Sequence, residues 1–127
     1  MTLRILPAFA AIAACLAAVA AGAHPALVSS TPAAAASVAK PSKIVLGFSE
    51  KIVGAVSGAT LAMTSMPGMA MTEPMKMTGF TSAVSPDGKT LTLLLKHPLP
   101  TGAYTLDWHV AGADTHRAQG RLSFAVK

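Results

Sequence analysis

The chain has 127 residues, with ten Lys and Arg against five Asp and Glu, few aromatics and one cysteine. That length suits one domain, and the scattered basic residues, without a basic run or interleaved aromatics, exclude a nucleic-acid surface. The cysteine, Cys15, lies in the first apolar stretch; once that stretch is removed, disulfides and thiolate metal sites are excluded as well.

Residues 1–23, "MTLRILPAFAAIAACLAAVAAGA", carry Arg4, then an apolar run, then Ala21-Gly22-Ala23. This layout predicts a secretory signal peptide cleaved after an A-x-A site, leaving a mature domain of residues 24–127 that begins at His24. Ile12-Ala13-Ala14-Cys15 is a rival lipoprotein-type processing site, but the apolar run continues well past Cys15. No second apolar segment is long enough to span a bilayer, so the mature protein is expected to be soluble and exported to the periplasm.

Beyond His24 the apolar pattern has period two. Ala26–Ser30 is the first short strand candidate. Lys43–Ser49 follows, with Ile44, Leu46 and Phe48 on one face. Ala59–Met63 and Thr78–Val84 are further short candidates. Thr90–Lys96 carries Leu91, Leu93 and Leu95; then come Tyr104, Leu106 and Trp108, and finally Leu122, Phe124 and Val126. Strict alternation of this kind marks half-buried strands. Turn signals separate them at Pro32–Pro41, Ser85–Gly88 and His97–Gly102, and Ala33–Ala39 is short enough for at most a helical turn. About seven short strands predict an all-β, Greek-key antiparallel sandwich, and Tyr104, shortly after Gly102, fits a tyrosine corner.

Met63–Met77, "MTSMPGMAMTEPMKM", holds Met63, Met66, Met69, Met71, Met75 and Met77, six of the seven methionines. Pro67, Gly68 and Pro74 interrupt any regular ladder, which predicts a loop between strands. Six thioethers in an otherwise polar loop cannot all point inward, and exposing them without a partner is unfavourable. Two readings remain: a site for a soft monovalent ion such as copper(I), or a methionine-rich contact surface for another protein. Met63 and Met77, at the strand ends, are the members best suited to core packing.

The histidines are His24, His97, His109 and His116. As the first mature residue, His24 would offer an α-amine and an imidazole to one metal. Asp114-Thr115-His116 is a D-x-H in a polar loop. Amine, two imidazoles and a carboxylate form a nitrogen and oxygen set suited to tetragonal copper(II). His97, in "KHPLP", reads as a surface residue and His109, after Trp108, as structural or peripheral.

Taken in order, "HPALVSSTP", "FSEKI", "SGATLAMTSMPGM", "YTLDW" and "ADTH" resemble the CopC family of periplasmic copper-binding, copper-resistance proteins. The resemblance implies a cupredoxin-like barrel or sandwich with two copper sites. Copper(II) would be held by the amine and imidazole of His24 with Asp114 and His116, with Glu50 nearby. Copper(I) would be held by Met63, Met66, Met69 and Met75. Met71 stands where related sequences often have histidine, which implies an all-thioether site drawn from a subset of Met63, Met66, Met69, Met75 and Met71. The function implied is a copper carrier or buffer, not an enzyme. Its partner would be a membrane copper importer of the CopD type or another periplasmic copper protein, with no polysaccharide substrate. The rival is an oxidative copper enzyme, because an N-terminal His with a second His resembles the copper brace of polysaccharide monooxygenases. Such a catalyst needs an open coordination position, which Asp114 would fill.

Overall fold

The computed structural model describes residues 24–69 and 71–127; the signal-peptide and Cys15 readings lie outside the described residues. Nine strands are described: β1 (Leu27–Thr31), β2 (Ser37–Val38), β3 (Lys43–Phe48), β4 (Gly58–Ser65), β5 (Met75–Met77), β6 (Phe80–Val84), β7 (Thr90–Leu95), β8 (Gly102–Ala111) and β9 (Arg117–Val126). They form a four-stranded sheet in the order β1-β3-β7-β6 and a five-stranded sheet in the order β2-β9-β8-β4-β5. The chain changes sheet between β1 and β2, β2 and β3, β3 and β4, β5 and β6, and β7 and β8, crossing between the layers as a Greek-key sandwich does.

The alternating residues make the core. Ile44, Leu46, Phe48, Leu91 and Leu93 face inward from the first sheet; Leu61, Tyr104, Leu106, Trp108, Val110, Leu122, Phe124 and Val126 face inward from the second. A side-chain period of two fixes which face each strand buries, since a one-residue slip would turn every Leu outward. Phe48 meets Trp108 edge-on with ring centroids 5.3 Å apart, and Tyr104 stacks on Phe124 at 5.5 Å. The Tyr104 hydroxyl donates to the Pro100 carbonyl oxygen at 2.6 Å. That bond satisfies the one polar atom of a fully buried ring and closes the expected tyrosine corner.

Two expectations need correction. Ala33–Ala39 forms no helical turn: the Ala36 N–H donates to Ala33 O, Ala35 sits at φ 64, and the chain then enters β2, parallel to β9. The Met stretch is also not wholly a loop. Met75–Met77 forms β5 and pairs with β4 as Leu61↔Met77, Ala62↔Lys76 and Met63↔Met75. These two short strands raise the expected seven to nine. Both are edge strands of two or three residues, too short to show a period.

Candidate functional site

The first candidate cluster begins at His24. Pro25 is buried beside Gly112, and the backbone of Ala26 is clamped: its N–H donates to Ser49 Oγ at 2.9 Å and its carbonyl accepts from Ser49 N–H at 2.9 Å. His24 is thereby held against the turn that joins β8 to β9. That turn is tight. Gly112 N–H donates to the His116 carbonyl oxygen at 2.9 Å, Thr115 N–H donates to Gly112 O at 3.0 Å, and Thr115 takes φ 70. An Ile52↔Gly112 bridge ties it to the segment after β3.

Two pairwise contacts link the sequence-predicted nitrogen and oxygen donors here, His24 with His116 and His116 with Asp114, although no three His, Cys, Asp or Glu side chains among the described residues form a ready metal-holding group. The rings of His24 and His116 have centroids 4.6 Å apart, tilted by 55°. His116 Nδ1 lies 2.6 Å from Asp114 Oδ2, and the His116 backbone N–H donates to Asp114 Oδ1 at 3.2 Å. The hydrogen bond from the His116 side chain, then that from its backbone, hold the Asp114 carboxyl below the usual carboxylate range. An ionised carboxylate only accepts. His116 Nδ1 is therefore placed to donate to that carboxylate, which in a neutral imidazole leaves Nε2 as the acceptor nitrogen. Carboxylates orient metal-binding imidazoles in this way. Glu50 shares with Asp114 a cleft of about 450 Å³, which Lys51 and Lys89 also line. His109 is exposed within β8, and His97 follows β7; neither is brought to this cluster by the contacts described.

The thioether cluster is graded from core to surface. Met63 is only 2% exposed and belongs to the core. Met66, Met71 and Met77 are half-buried and pack against it, while Met69 and Met75 are 59% and 49% exposed. Met66-Pro67-Gly68-Met69 is a reverse turn: the Met69 N–H donates to Met66 O at 3.2 Å and Gly68 has φ 72. Pro before Gly at the two central positions is the type II signature, since Gly accepts the positive φ without strain. The turn folds Met69 back beside Met66. Met63 and Met75 are direct cross-strand partners, so their side chains leave the same face at adjacent positions. Met63, placed in the donor set on resemblance, is thus the floor under the cluster rather than part of its exposed rim.

Gly102 has a role here beyond the turn that its sequence position signals. A Cβ on it would lie 2.5 Å from the Ser65 carbonyl oxygen and 3.3 Å from Met63 Cε. Only glycine lets β8 approach the root of the Met turn this closely. In the sequence the glycine stands only as a turn residue before Tyr104.

The two clusters occupy opposite ends of one sheet. Ser65 pairs with Ala103 at the start of β8, whereas Ala111 at its end leads into the Gly112–His116 turn. Ten extended residues separate those ends by about 30 Å.

A family model for the CopC domain matches residues 27–127. Copper resistance protein C of Xanthomonas campestris pv. juglandis is 48% identical over 91% of this chain and 90% of its own length. Copper resistance protein C of Escherichia coli is 43% identical over 83% of this chain and 82% of its own. Among solved structures, PcoC, a methionine-rich copper resistance protein from Escherichia coli, superposes with a TM-score of 0.74. It is 41% identical and covers 83% of this chain and all of that one. With a matching domain model and relatives aligned along nearly their whole length, the chain belongs to the CopC family.

Proposed function

We propose that this protein is an exported, periplasmic copper carrier or buffer of copper resistance, without catalytic activity, and that it takes the two oxidation states at opposite ends. The observation that carries the reading is the separation of two chemically distinct donor sets by the length of β8, in a chain whose relatives are named as copper resistance proteins.

Copper(II), a borderline ion that favours nitrogen and oxygen, would bind His24, Asp114 and His116. Cleavage before His24 would free its α-amine to chelate alongside its own imidazole. Copper(I), a soft ion, would bind Met66, Met69, Met71 and Met75, with Met63 beneath them. Thioethers carry no proton to lose near neutral pH, so this end needs no deprotonation on loading. Exposure of Met69 and Met75 lets an incoming ligand reach a bound ion by exchange. Such exchange suits delivery to a membrane importer of the CopD type or to another periplasmic copper protein.

Replacing Met66 and Met69 together by Leu tests the assignment. Competition titration with a copper(I) chelator should show a loss of at least tenfold in affinity, while copper(II) binding stays as in the parent. Equal copper(I) affinity in the double variant would remove the Met turn from the site.

A further inference from the structure

We propose that Met77 and His97 form a second soft-metal site, distinct from the Met66–Met75 cluster and able to hold copper(I) or its analogue silver(I). Both residues line one cleft of about 280 Å³ at the seam where the chain passes from the five-stranded to the four-stranded sheet. Phe80, Leu95, Leu99 and Pro100 supply apolar walls. Within them the Met77 thioether and the His97 imidazole are the side-chain donors. Thioether and imidazole together suit copper(I), and an apolar wall tolerates a large, weakly hydrated monovalent ion better than a divalent one.

The two donors stand on fixed backbone. Met77 is the last residue of β5, opposite Leu61 in the ladder. His97 sits between two anchors: the Lys96 N–H donates to Gly79 O at 2.8 Å, and the N–H of buried Leu99 donates to Pro41 O at 3.2 Å. Pro98 restricts the backbone between them. The Lys96–Gly79 bond joins the segment that carries His97 to the residues just after Met77, tying the two walls of the cleft to each other. Met75 and Met77, two apart on one strand, share a face, which makes this cleft the next set of donors along β5 from the Met turn. An ion leaving Met75 would meet Met77 and His97 next.

Silver(I) alone is the probe, added to the mature protein and followed through the methionine ε-methyl and histidine ring-nitrogen resonances. The Met77 methyl and the His97 ring nitrogens should move together, at a later equivalent than the methyls of the Met turn. His97→Ala should abolish the Met77 shift and lower the silver stoichiometry by one ion. Met77→Leu should abolish the His97 shift with the fold intact. Movement of either residue without the other, or an unchanged stoichiometry in His97→Ala, would overturn the site. If Met77 and His97 respond while the Met-turn methyls do not, this site stands and the Met-turn assignment fails.

Discussion

Methionine takes two environments in one fifteen-residue stretch, core and surface. Met63 fills the core at 2% exposed, whereas Met69 is 59% exposed. Truncating Met63 to Ala should cost about 2–5 kcal/mol, because it leaves a cavity. Met69→Ala should change stability by less than about 0.5 kcal/mol, and urea unfolding of both variants checks the contrast. If Met69→Ala proved the more destabilising, the graded cluster would be wrong. At the other end, Asp114 holds His116 through its side chain and its backbone. Asp114→Asn keeps the shape but removes the charge. Copper(II) affinity should fall by at least about 10-fold, because the charge of a proposed ligand is lost together with the hydrogen bond that orients His116, with copper(I) affinity unchanged.

At the scale of elements, the long strands were legible because their apolar residues alternate. Ile44, Leu46 and Phe48, or Tyr104, Leu106 and Trp108, are each buried as that pattern demands. What the pattern left out were elements defined by partners rather than by their own residues. Ser37–Val38 is a strand because it lies parallel to the end of β9, and Met75–Met77 because it completes the edge beside β4. The D-x-H spacing and the Met stretch were visible as motifs, but the burial of Met63 and the contact of His24 with His116 depend on the packed sheets. So does Gly120, which lies under Trp108: a Cβ there would stand 2.5 Å from Trp108 Cζ2. Gly120→Ala should therefore cost about 1–3 kcal/mol by overpacking, measured by denaturant unfolding; a neutral or stabilising result would contradict the packing.

Across β8 and β9, the Arg121 side chain donates to both carboxylate oxygens of Asp107, and this pairing holds the Asp107 carboxyl below its usual range. A carboxyl lowered in the folded state adds stability above its unfolded pKa and loses it as the pH falls through the folded value. Any difference in thermal stability between the parent and Arg121→Gln should accordingly be small near neutrality, as expected of an exposed pair. It should shrink further in acid. A difference that grew on acidification would contradict the assignment of charge.

For the whole molecule, the proposed sites make the sandwich a spacer. Because β8 spans the interval between the clusters, with its ends about 30 Å apart, a change at one end should leave the other untouched. Copper(II) binding should also weaken as pH falls through the amine and imidazole range, since an α-amine has an unperturbed pKa of about 7.7–8.0 and must lose its proton to bind. Copper(I) binding by thioethers should weaken much less. The most direct test of this account adds one alanine before His24 in the mature protein, which moves the free amine away while keeping both imidazoles and Asp114. The paramagnetic resonance spectrum of bound copper(II) should change and its affinity should fall, with copper(I) affinity the same as in the parent. An identical spectrum and an equal copper(II) affinity in the extended protein would contradict the account.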